Sequence, residues 1–234
     1  MNALLLPALG LLALNAYALV LVMVRGPLFR TRVYRPMLLN IALSVAPAVT
    51  LMLVVVLLLA IVEFFPSAVA LWAVMLVGAA TWLLLLPNSA YLVTELNLSH
   101  RRAGEEVPLW YDIILVLTLA MSGVLNTLAN VALVQLLTVA IARPNTAHPL
   151  LSPTLWLAAG ATLLLVSLGM YLGRYIRFNS WDLLRPNRFA RKLFGHFAEP
   201  GNASAAAGFV VTHTVFLGIL YAIVAAPVLL VILP

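Results

Sequence analysis

Three polar segments interrupt a chain otherwise dominated by Leu, Val and Ala: Pro87-Asn-Ser-Ala-Tyr-Leu-Val-Thr-Glu95, Pro108-Leu-Trp-Tyr-Asp112 and Gly173-Arg-Tyr-Ile-Arg-Phe-Asn-Ser-Trp-Asp182. They hold the residue types that do chemistry. Glu95, Asp112 and Asp182 can move protons or ligate metals, Arg174 and Arg177 can bind anions, and Asn88, Tyr91 and Asn179 can hydrogen-bond a ligand. Further on, His213 stands between Thr212 and Thr214 and adds an imidazole. Asn88, Tyr91 and Glu95 recur at i, i+3 and i+7, one face of a helix if the segment stays helical. Pro87 removes a backbone donor there, so a kink that turns Asn88 differently is also expected.

Three functional readings follow. In the first, a cytoplasm-facing polar pocket binds an anionic lipid headgroup or a phosphorylated small molecule. Arg174 and Arg177 are its anion ligands, because the planar guanidinium fork matches phosphate and carboxylate. Asn88, Tyr91, Asn179 and Asp182 complete that ligand-binding set. In the second, Glu95, Asp112 and His213, with Asp182, form a metal-assisted intramembrane hydrolase or transferase, since carboxylates plus one imidazole hold Zn, Mn or Mg and activate water. No His-x-x-x-His or Glu-x-x-His spacing supports that reading, and the four histidines, at 100, 148, 196 and 213, are scattered. A divalent metal is compatible with the residue types, but there is no nucleotide-binding motif. In the third, Ser122, Asn126 and Asn130 at i, i+4 and i+8 extend the inner charged layer into a path for a small proton-coupled transporter. Each has a plainer structural counterpart. The arginines snorkel and pair with Glu95, Asp112 and Asp182, the Asn line hydrogen-bonds between helices together with Asn15 and Asn40, and His213 is a neutral ring bonded to a neighbouring helix.

Stepping from residues to elements, the 234-residue chain is 65% hydrophobic and only 9% charged, with no cysteine. Soluble domains carry about a quarter charged residues, so the chain cannot cover a water-facing surface and is read as a membrane protein. The missing cysteine removes disulfides, thiolate metal sites and a cysteine nucleophile together. Six apolar stretches reach spanning length, at 3 to 24, 37 to 62, 69 to 90, 112 to 141, 155 to 175 and 209 to 232. The first reads as a retained helix, because Arg25, Arg30, Arg32 and Arg35 follow the apolar run instead of preceding it. Twelve of the thirteen Lys and Arg fall on connections one, three and five. By the positive-inside rule both termini are then outside, and the three polar segments face the cytoplasm at the inner ends of helices three, four and five. The net charge of +6 calls for membrane lipids, anionic ones included, as partners, and for no nucleic acid.

The expected fold is thus a single all-α integral membrane domain over residues 1 to 234, a bundle of six transmembrane helices. In the last cytoplasmic loop, Leu183 to Phe197 mixes Leu and Phe with Arg and Lys and suits an amphipathic helix along the inner leaflet, with Pro186 breaking its start. A small-residue linker, AEPGNASAAAG, leads from it into the last helix. Gly169 and Gly173 form a small-xxx-small pair suited to close helix approach beside Arg174. Two Asn-x-Ser sequons, at Asn97 and Asn202, fall on the inner side and are read as chance matches.

The runs PNSAYLVTEL, PLWYD and GRYIRFNSWD together resemble the domain of unknown function 1361 family of bacterial membrane proteins, over most of the chain from helix three to helix six. In the family pattern an acidic residue, usually Asp, stands where this chain has Glu95, and a histidine follows soon after, matched most nearly by His100. The resemblance implies an uncharacterised multi-pass protein of the bacterial plasma membrane and treats the three motifs as a unit.

Overall fold

A computed structural model describes residues 4–31, 35–97, 106–142, 145–146, 148–177 and 186–233, without the side chains at 95, 97, 186 and 188. Regular structure among these residues is entirely helical: α1 (Leu5–Phe29), α2 (Arg35–Phe64), α3 (Ala68–Tyr91), α4 (Leu109–Ala142), α5 (Pro153–Tyr171), α6 (Pro186–Ala198), α7 (Asn202–Leu220) and α8 (Ala226–Ile232). Six stretches are long and apolar enough to cross a membrane: Leu5–Phe29, Arg35–Phe64, Ala68–Thr94, Leu109–Ala142, Pro153–Ile176 and Asn202–Ile232. The chain is therefore a multi-pass, all-helical membrane protein. Large apolar side chains such as Leu12, Met52, Val69 and Val77 point outward, as lipid-facing surfaces require.

The chain forms two compact units, Met1–Asn130 and Val131–Pro234, and α4 contributes residues to each. In the first unit α2 and α3 pack side by side. Ser67 starts α3 as an N-cap, its hydroxyl accepting from the Ala70 N–H. The core of this unit gathers Ala18, Leu21 and Val22 of α1, Met37 and Ile41 of α2, Leu92, and Tyr111, Leu115 and Leu119 of α4. In the second unit α5 packs against α7.

Three boundaries differ from those expected. The first span runs on to Phe29, through Gly26 and Pro27, and so draws Arg25 into the helix. The last span begins at Asn202 instead of 209, because the Ala-rich run after Gly201 propagates a helix well and Gly201, at φ 89°, supplies the left-handed residue before it. The amphipathic helix starts on Pro186 instead of being broken there, since a missing N–H costs nothing in a first helical turn. A π-helical turn at Tyr221–Ala225 precedes Pro227, a register shift by which a span absorbs a residue that cannot donate.

Close approach occurs at Gly123 and Gly78 and not at Gly173. Nothing lies within 4 Å of where a Cβ on Gly173 would stand. A Cβ on Gly123 of α4 would run into the Ser89 carbonyl oxygen and stand 2.7 Å from Leu92 Cβ. One on Gly78 would meet only side-chain atoms of Val54, the nearest a methyl, and no backbone. Gly123→Ala should therefore cost about 1–3 kcal/mol, with Gly78→Ala costing clearly less. Thermal unfolding of both variants in detergent tests this; equal midpoints would mean that the α4 backbone shifts freely at Gly123.

Candidate functional site

Asp112 lies in the first turn of α4 and is fully buried. Its partner is Arg25, itself only 4% exposed. Arg25 Nε donates to Asp112 Oδ1 at 2.9 Å and Nη2 to Oδ2 at 3.5 Å, a two-pronged pair. The helix start favours the carboxylate, which sits in the first turn of α4. Arg25 Nη1 also reaches the Thr31 hydroxyl at 3.3 Å, and the neighbouring Tyr111 hydroxyl donates to the Leu21 carbonyl at 2.7 Å. The Phe29 ring meets Tyr111 edge-on and closes one side. Asp112 does form the ion pair that a structural reading allows, but with Arg25. Ending the first helix at residue 24 hid that pairing; the signal for it was an arginine immediately before Gly26-Pro27.

The Asn line on α4 is a set of interhelical hydrogen bonds. Asn126 and Asn15 exchange amide bonds at 2.9 and 3.0 Å, and Asn126 also donates to Ser44 Oγ of α2 at 2.9 Å. Ser89 donates to the Ser44 carbonyl at 2.6 Å, which ties α3 to the same point. One turn on, Asn130 accepts from the Trp82 indole at 3.1 Å. Ser122 turns back to the Leu119 carbonyl of its own helix. Ser89 and Trp82 were not singled out by sequence, although Ser89 lies inside the first motif and is fully buried.

The rest of that motif does not form one stripe. The α-helix ends at Tyr91 and continues as 3-10 turns over Leu92–Asn97, so Glu95 leaves the register of Asn88 and Tyr91. Asn88 donates back to the Leu85 carbonyl at 3.0 Å, next to the break that Pro87 makes in the backbone pattern. The side chain of Glu95, together with His100, Asn179 and Asp182, falls outside the described residues.

In the second unit, α5 ends in a π-helical turn, Leu172–Ile176, and Arg177 closes it in the left-handed conformation at φ 56°. Arg174 is half-buried in that turn and Arg177 is exposed. Beside them lies a network that the sequence did not announce. The Tyr171 hydroxyl stands 2.8 Å from His196 Nε2 and 3.4 Å from the Asn202 carbonyl. The Asn202 amide donates to the His196 carbonyl at 2.8 Å and to Glu199 Oε2 at 3.0 Å. One neutral tautomer satisfies the ring: Nε2–H donates to the tyrosine oxygen, whose own hydrogen points to the Asn202 carbonyl. Asn202, one of the two sequon asparagines, thus pins the ends of α5, α6 and α7 together. His213 stacks on Phe209 at 3.8 Å between ring centres, and its Nδ1 bonds the Phe209 carbonyl at 2.9 Å. It is bonded within its own helix, not to a neighbour.

The predicted residues thus divide, with Asn88, Tyr91, Glu95 and Asp112 in the first unit and Arg174, Arg177 and His213 in the second. Among the described residues no three His, Asp or Glu side chains come together as a metal site. Asp112→Ala leaves a buried guanidinium without its carboxylate and should cost about 3–5 kcal/mol. Arg25→Met with Asp112→Leu should recover most of the loss, since two apolar residues replace two charges. Heat-stability profiles of the single and double variants measure this, and a double variant no better than the single would argue against the pair as the dominant interaction.

No curated protein and no solved structure matches the chain significantly. A family model described as "Protein of unknown function (DUF1361)" matches residues 39–220. That match takes in all three polar motifs and most of both units, and the chain, itself multi-pass, belongs to this family.

Proposed function

We propose that this is a bacterial inner-membrane protein, with both termini outside the cytoplasm, that binds an anionic lipid headgroup or a phosphorylated small molecule on its cytoplasmic side. Arg174 and Arg177 are the anion ligands, and Asn179 and Asp182 follow them in the same motif. The observation that carries this reading is the end of α5, where a π-helical turn and a left-handed residue set two arginines at the edge of a span. An anion there meets guanidinium forks at the depth where lipid phosphates lie. The same edge carries α6, which has basic residues and no acidic ones.

Binding is preferred to the alternatives on the bonding of their key residues. The polar line that a transport path needs is occupied by helix-to-helix bonds at Asn126 and Asn130. One of the carboxylates that the hydrolase reading would use, Asp112, is engaged by Arg25.

Native mass spectrometry of protein extracted gently from its own membrane tests the ligand. An anionic lipid or phosphorylated metabolite should be retained by the wild type and lost on Arg174→Ala with Arg177→Ala. Retention in that double variant would overturn the reading. Orientation is testable separately, because the chain has no cysteine. A membrane-impermeant maleimide added to intact cells should label Pro66→Cys and spare Glu106→Cys, and the reverse pattern would invert the topology.

A further inference from the structure

Along α6 the side chains sort into two arcs: Phe189, Ala190, Leu193, Phe194 and Phe197 on one, and Asn187, Arg191, Lys192 and His196 on the other. No other described helix segregates its residues so sharply. The apolar arc is only partly used by the protein. His196 and Phe197 lie against Tyr171, and Phe189, Leu193 and Phe197 are half-buried. Phe194 is left 71% exposed. Arg191, also exposed, stands three residues earlier and therefore on the same side of the helix.

The location of α6 restricts what can cover that side. The span before it ends at Ile176 and the span after it begins at Asn202, so α6 stays on one side of the membrane beside two helix ends. Its C-terminal end is held there by the His196, Asn202 and Tyr171 bonds. An outward phenylalanine with a guanidinium one turn away suits an interface in which the ring enters the acyl boundary and the cation meets phosphates.

We propose that α6 is a docking surface for an anionic lipid leaflet, with Phe194 inserted at the acyl boundary and Arg191 at the headgroup phosphates. The inference rests on the chain spanning the membrane and is independent of a ligand at Arg174 and Arg177. The missing cysteines allow a direct test by spin labelling of the full-length protein. Single nitroxides at Phe194→Cys and Arg191→Cys are read in vesicles of phosphatidylcholine alone and mixed with phosphatidylglycerol, by collision with oxygen and with a water-soluble nickel chelate. The label at 194 should favour oxygen, with the ratio rising severalfold when phosphatidylglycerol is present, while the label at 191 stays open to nickel. Arg191→Glu should abolish the rise at 194, and the milder Arg191→Gln should reduce it in protein that still elutes as the wild type. A label at 194 equally open to nickel in both vesicles, or a rise indifferent to charge reversal, would overturn the proposal. Either result beside an unchanged mass-spectrometric ligand would leave the Arg174 reading standing and remove only α6 from it.

Discussion

Hydrocarbon offers no partner to a polar group, so every polar side chain buried in this chain must be answered by another part of the chain. That constraint accounts for most of the specific contacts. Arg25 answers Asp112, Asn15 and Ser44 answer Asn126, the Ser44 carbonyl answers Ser89, and Trp82 answers Asn130. In the second unit, Gln135 donates to the Leu155 carbonyl and accepts from the Tyr221 hydroxyl. Apolar packing alone discriminates poorly among helix arrangements in lipid, where neighbouring helices and lipid tails are equally apolar. These few polar joints are what select one arrangement within each unit.

The Arg25 and Asp112 pair shows how the constraint works at its most expensive. Taking two charges out of water is repaid only when the geometry is good and further hydrogen bonds satisfy the groups; here the guanidinium meets both carboxylate oxygens and Thr31, and Asp112 sits in the first turn of α4. Such a pair adds little net stability over an apolar substitute, but a wrong packing that separates it is heavily penalised. It is a register device for α1 against the start of α4. Gly123, further along α4, acts on a different neighbour, since it lets the α4 backbone reach the Ser89 carbonyl at the end of α3 and the Leu92 side chain.

Among the described residues, the two arginines proposed to meet a ligand lie at the end of a helix. Arg177 is exposed and Arg174 half-buried in a π-helical turn, a feature frequent at functional sites. The Tyr171, His196 and Asn202 network holds α6 beside that turn, so the amphipathic helix and the two arginines form one basic edge of the second unit. Family membership brings no assigned activity to that edge. The functional reading stands on its charge, its burial pattern and its place between two spans.

Composition and hydropathy alone determined the membrane class, the all-helical fold and the number of spans, because crossing a bilayer demands about 20 apolar residues in a row and leaves that demand legible. They also made α6 recognisable, since segregation of Phe and Leu from Arg and Lys is a property of one helix by itself. The three motifs were visible, and with them the family. Partners were not legible. Arg25 counted as a loop charge until α1 was seen to continue to Phe29, and Ser89, Trp82, His196 and Asn202 carried no spacing signal because their partners lie on other helices. Asn88, Tyr91 and Glu95 lost their common face when the helix tightened into 3-10 turns after Tyr91. Which polar group answers which is decided only when helices come together, because a hydrogen bond is a relation between two elements and periodicity describes only one.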